Sequence, residues 1–146
     1  MSKFIHPATL EAAYEVASQL RPEDARECIE GHGVLPTQAL PLAILQCPTE
    51  AFYVPDGRIA GLVGIYDNGL IWMLCTKAVE DFPILFFKEA KQFIESRKEP
   101  RLFNVADKRN ALHLKLLKKL GFTFTGEVLH GPNQLPFIQF ERCVLH

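Results

Sequence analysis

The sequence predicts one α/β domain, and three observations carry that expectation. Segments with a helical apolar period alternate with short β-rich runs, residues 50–75 hold three such runs separated by Pro-Asp-Gly and Asp-Asn-Gly turns, and the last third continues helix, strand, helix, two strands. A chain of 146 residues suits one core, and no linker, repeat or low-complexity tract divides it, so residues 1–146 are expected to form a single domain.

The elements follow in order. Phe4 and Ile5 suggest a first short strand, and Thr9 an N-cap for a helix with an apolar face of Leu10, Ala13, Tyr14, Ala17 and Leu20. Pro22 opens a second helix over residues 23–30, with Gly31 and Gly33 as its stop. A third runs over residues 37–45, interrupted near Pro41 and closed by Pro48. Residues 51–54, 59–66 and 70–75 read as an antiparallel meander. Residues 82–97 carry the stripe Leu85, Phe86, Ala90, Phe93 and Ile94 with Lys and Glu opposite, an amphipathic helix on which Phe82 and Phe87 cannot share the buried face. A strand at 101–105, a helix at 110–120 ended by Gly121, and strands at 122–128 and 137–144 complete the set.

Composition narrows the function classes. The chain is 48% hydrophobic and 23% charged, a globular balance. Sixteen basic residues against seventeen acidic ones give no global attraction to nucleic acid or an anionic membrane, and no apolar run is long enough for a membrane span. Cys28, Cys47, Cys75 and Cys143 lie far apart with no C-x-x-C pair, which favours free thiols in a reducing compartment. Residues 1–15 lack an uninterrupted apolar stretch, so no cleaved signal peptide is expected. His6, His32, His113, His130 and His146 show no paired ligand spacing, and no metal is expected.

The most specific segment is Asn110-Ala111-Leu112-His113-Leu114-Lys115-Leu116-Leu117-Lys118-Lys119-Leu120-Gly121-Phe122. It resembles the N-x-x-A-x-x-x-Y-x-x-x-G-F segment of the GNAT N-acetyltransferases, with the same eleven-residue gap from Asn to Gly. The meander, with Gly61 and Gly64 in its second strand, is similar to the central strands of that family. The resemblance implies the GNAT fold: a mixed, mostly antiparallel sheet of six to seven strands flanked by four to five helices, with two neighbouring strands parted to admit a cofactor. A narrower resemblance, to small GNAT-related proteins of short-tailed bacteriophages of the internal-virion-protein-A class, rests on the run from Asn104 to Asn110, on His113, and on Arg21, Asp24 and Glu27. It implies a phage protein working in a host bacterial cytoplasm or a virion, with a host protein as a partner.

The resemblance implies acetyl-CoA or another acyl-CoA as cofactor, met by Leu74, Thr76, Lys77, Asn110 and Leu117. Two departures qualify it. The stretch 76–83 contains no glycine where the family has a phosphate-binding loop, and its Glu80, Asp81 and Pro83 oppose anion binding. The position of the family's proton-donating Tyr is occupied by Leu117. Catalytic candidates are therefore sought elsewhere. Glu27, with Asp24, reads either as an exposed helix charge or as a general base. His113 reads as a half-exposed structural imidazole or a proton carrier, Cys75 as a buried inert thiol or a nucleophile, and Asn110 as a helix cap that also reaches the cofactor. Three functions follow: an acyl-CoA-dependent N-acyltransferase acting on a host protein or metabolite, a scaffold that binds and modulates a host enzyme, or a virion structural protein.

Overall fold

The structure, a computed structural model, describes residues 2–144. Its strands are β1 (Ile5–Pro7), β2 (Thr49–Tyr53), β3 (Ile59–Ile65), β4 (Ile71–Cys75), β5 (Arg101–Asp107), β6 (Thr123–His130) and β7 (Leu135–Cys143). Its helices are α1 (Leu10–Ser18), α2 (Pro22–Arg26), α3 (Pro36–Gln46), α4 (Pro83–Glu95) and α5 (Ala111–Lys119). The strands do not form one sheet. They form an antiparallel four-stranded sheet in the order β1-β2-β3-β4 and an antiparallel three-stranded sheet in the order β5-β7-β6, touching through an isolated parallel bridge between Leu70 and Phe103.

Three apolar clusters hold the layers. On one face α1 and α3 cover Ala51, Ile59, Leu62 and Leu74. On the other, α4 and α5 cover Ile65, Ile71, Leu102 and Phe140, while the start of α4 packs with Phe52, Val54 and Cys75. Alternation along β4 assigns Leu74 to the first face and Ile71 and Cys75 to the second, as a pleated strand requires.

Several local expectations are corrected. Thr9 caps α1 through its hydroxyl, but the buried face is Ala12, Ala13 and Val16, while Leu10 and Tyr14 are 45% and 56% exposed. Small side chains let α1 approach β3 closely, and proximity decides the face over residue size. The second helix does not stop at Gly31. It widens into a π-helical segment, Glu27–His32, and ends at Gly33, whose φ of 72° suits glycine. Pro41 does not interrupt α3, where its buried ring removes only the bond to the Thr37 carbonyl. Phe82 and Phe87 are both half-buried, because they pack on two different clusters. On α4, Glu89 was grouped with the solvent face and is buried.

Candidate active site at the strand parting

Side chains, in place of a ladder, span the gap between β4 and β5. Near the bridge, Asn104 Nδ2 donates to the Ile71 carbonyl at 2.7 Å. Further along, the Cys75 N–H also faces the gap, and the two-residue period turns the Met73 backbone the same way. α2 lies across this opening. Its Arg21 N–H donates to the Cys75 carbonyl at 2.9 Å, and the Asp24 carboxylate accepts the Cys75 N–H at 2.7 Å. One turn on, Glu27 Oε1 accepts the Asp107 N–H of β5 at 2.7 Å. A spacing of three puts both carboxylates on one helix face, so one helix binds each lip of the parting.

α5 meets them from the other side. Asn110 caps it, its side-chain oxygen accepting the His113 N–H at 3.4 Å, while its Nδ2 donates to Asp24 at 2.9 Å. Arg21 Nη1 donates to the same Asp24 oxygen at 2.9 Å. His113 Nδ1 stands 3.7 Å from Glu27 Oε1, an ion-pair separation, with the two side chains 12% and 6% exposed. Asp107 is secured by Arg109, which reaches on to Glu30.

Burial and charge set the protonation states. Burial pushes the Glu27 carboxyl up, but His113 and the Asp107 N–H outweigh it and hold the carboxyl below its ordinary value. Burial pulls His113 down, yet Glu27 and Asp24 more than offset this, and the imidazole is raised. Burial raises Asp24, opposed by His113, Asn110, the Cys75 N–H and Arg21. Burial also raises the Cys75 thiol well above its ordinary value, and Asp24 adds to it.

Two cavities meet at this cluster. One, of about 400 Å³, runs through the parting, and its mainly apolar wall includes Leu62, Met73, Phe86, Leu117 and Phe140. The second, also about 400 Å³, lies between the start of α4 and α5 over Met73 and Cys75, with Lys115 and Lys119 in its lining. An acyl-CoA fits this arrangement in part. The parting suits an acyl group and a pantetheine arm, and the lysines can meet phosphate. In the β4–α4 connection the Ala78 N–H is used by the Thr76 hydroxyl and the Val79 and Phe82 N–H groups by nearby carbonyls, which takes these three donors away from a phosphate.

The predicted residues divide accordingly. Glu27, His113 and Asn110 come together at the parting, and Glu27 and Asp24, both 4% exposed, are not surface charges. Leu74 and Leu117 line the through-cavity from opposite faces. The buried Thr76 hydroxyl donates to the Ile59 carbonyl and accepts the Ala78 N–H, so it caps the turn after β4. Lys77 is exposed and lines neither cavity. Cys75 contributes its backbone, while its thiol packs in an apolar cluster. Lys115, Lys119 and Glu89 were missed. The i, i+4 lysine spacing and a carboxylate three residues after Phe86 and four before Phe93 were the available signals. Among the described residues no group of three or more His, Cys, Asp or Glu side chains is placed to hold a metal, and His146 lies outside them. No described helix is long and apolar enough to cross a membrane.

A four-stranded and a three-stranded antiparallel sheet, parted between β4 and β5 and flanked by five helices, is the fold of the GNAT acetyltransferases. Solved structures agree. A GNAT-family acetyltransferase from Streptococcus agalactiae superposes with a TM-score of 0.72 at 15% identity, over 97% of this chain and 95% of that one. One from Streptococcus pneumoniae gives 0.63 at 16%, over 97% and 98%. An aminoglycoside acetyltransferase solved in complex with coenzyme A gives 0.66 at 16%, over 96% and 94%. No family model and no curated protein matches the sequence.

Proposed function

We propose that residues 1–146 form one acyl-CoA-dependent N-acyltransferase domain in which His113 carries the proton and Glu27 orients and charges it. The observation that supports this reading most is the buried Glu27–His113 pair, 3.7 Å apart and set across an open parting in the GNAT fold. Glu27 is a weak base because its carboxyl is held low, whereas His113, raised above its ordinary value, is the stronger proton acceptor. Neutral His113 takes the proton of an attacking amine as the C–N bond forms and the C–S bond breaks, and the departing thiolate takes that proton back. Glu27 stabilises the imidazolium in between. The Met73 N–H, facing the gap, is suited to polarise the thioester carbonyl, since Asp24 holds that of Cys75. Lys115 and Lys119 serve the CoA phosphates.

Titration calorimetry with coenzyme A and acetyl-CoA, followed by thiol release in the presence of primary amines, tests the proposal. Binding with amine-dependent release is expected, and no binding of either ligand overturns it. A phage source and a host-protein or metabolite acceptor in the bacterial cytoplasm belong to the same proposal, supported by the narrower resemblance around residues 104–113.

One observation favours a second reading. The strand-end amide of Cys75 is filled by a carboxylate of the chain itself, which suits a scaffold that binds a host enzyme without catalysis. A specific partner recovered from bacterial lysate, with no response to coenzyme A, would select it.

A further inference from the structure

The through-cavity contains a polar group that the acyl-transfer reading does not use. Glu89 is on the buried face of α4, 7% exposed, and lines the cavity beside Phe86 and Ala90. Its Oε2 is buried with no hydrogen-bond partner among the described residues. Trp72, on the opposite face of β4, borders the same cavity, and its indole N–H is likewise buried without an acceptor. Buried polar groups are ordinarily paired, and a buried carboxylate oxygen without a donor is a costly exception. No Lys or Arg lines the cavity to neutralise it.

The placement of Glu89 says what its partner is. Phe86 borders both cavities, and Glu89, Ala90 and Phe93 continue along α4 from it, with Leu117 and Leu120 of α5 in the same wall. A chain entering over Met73 and Cys75 therefore runs past Phe86 along the largely apolar α4 wall to Glu89. The volume, about 400 Å³, falls in the range of pockets for whole small ligands.

We infer that the cavity takes a medium-length acyl chain bearing a hydroxyl or other hydrogen-bond donor, which Glu89 accepts. This rests on the acyl-CoA reading and names its acyl class. The selectivity follows from the unmet carboxylate: a plain chain leaves it buried and unpaired, and a hydroxylated chain satisfies it.

The test compares coenzyme A, acetyl-CoA, octanoyl-CoA and omega-hydroxyoctanoyl-CoA by calorimetry on the wild type and on Glu89→Met. The wild type is expected to bind the hydroxylated thioester about tenfold or more tighter than octanoyl-CoA, and Glu89→Met to lose that preference while retaining coenzyme A. Glu89→Met without ligand is expected to melt higher, because it removes an unpaired buried carboxylate and leaves a side chain of similar length. Equal affinity for the two octanoyl thioesters overturns the inference and leaves the acyl-CoA reading standing. Silence from every CoA species overturns that reading, and then free omega-hydroxyoctanamide decides the cavity by thermal shift. Stabilisation of the wild type but not of Glu89→Met keeps the chain-binding site, and no stabilisation removes it.

Discussion

Asp24 on α2 and Glu27, one helical turn on at the start of the π-helical segment, each accept a backbone N–H from a different lip of the strand parting: Cys75 on β4 and Asp107 on β5, both at 2.7 Å. Each lip is thus capped by a carboxylate where a ladder would otherwise form. The buried ends of both strands are satisfied without being joined, which is the condition for keeping the opening stable.

Removing the Asp24 carboxylate leaves the buried Cys75 N–H, the Asn110 amide and Arg21 Nη1 without their acceptor, although Arg21 keeps Glu80 and Glu23. Asp24→Ala is expected to destabilise the fold by about 3–5 kcal/mol, measured by chemical denaturation. Asp24→Asn, which keeps one acceptor oxygen, is expected to lose less.

Stability and activity should move in opposite directions as pH changes. His113 binds its proton more tightly folded than unfolded, so the stabilisation it brings is complete below its ordinary value of 6.5 and is lost as pH rises through the raised folded value. Acyl transfer needs the neutral imidazole and rises through the same window. Melting temperature and initial rate measured across that range check both signs, and His113→Gln should flatten both profiles.

Glu27→Gln separates orientation from proton transfer. Without the carboxylate that raises it, His113 titrates lower, so the rising limb of the rate profile shifts to lower pH. The maximal rate is expected to fall by about 10²-fold or more as the imidazolium loses its counter-charge. An unshifted profile would remove Glu27 from the mechanism.

Lys115→Glu with Lys119→Glu should weaken coenzyme A binding, and the effect should shrink as salt is added, because both side chains are exposed. Calorimetry at two ionic strengths measures it. The melting temperature should change little.

Gly31→Ala tests how closely the π-helical segment approaches β7. A Cβ at Gly31 runs into the ring of Phe137, which is fully buried. The expected loss is about 1–3 kcal/mol by thermal or chemical denaturation, as for an overpacked core.

Much of this architecture was readable from local pattern. The Pro-Asp-Gly and Asp-Asn-Gly turns placed the meander, Thr9 and Asn110 were found as caps, and the interval from Asn110 to Gly121 pointed to the fold. Faces were less readable where size and proximity disagree. Leu10 and Tyr14 look like core and are exposed, because the alanines opposite permit closer packing. Glu89 reads as a solvent charge, and although its spacing from Phe86 and Phe93 puts it on the apolar face of α4, the cavity there forms only from residues distant along the chain.

The sequence by itself determined the element order, the turns and caps, and the presence of Asn110, His113, Glu27 and Asp24, since these depend on contacts within a few residues. Tertiary structure alone decided that Asp24 would hold Cys75, fifty-one positions away, and Glu27 hold Asp107, eighty positions away. Hydrogen bonds of that separation form only after α2 has been laid across two strands by burial of its flanking helices. The role of each carboxylate is therefore a property of the assembled layers and is not written in its neighbours.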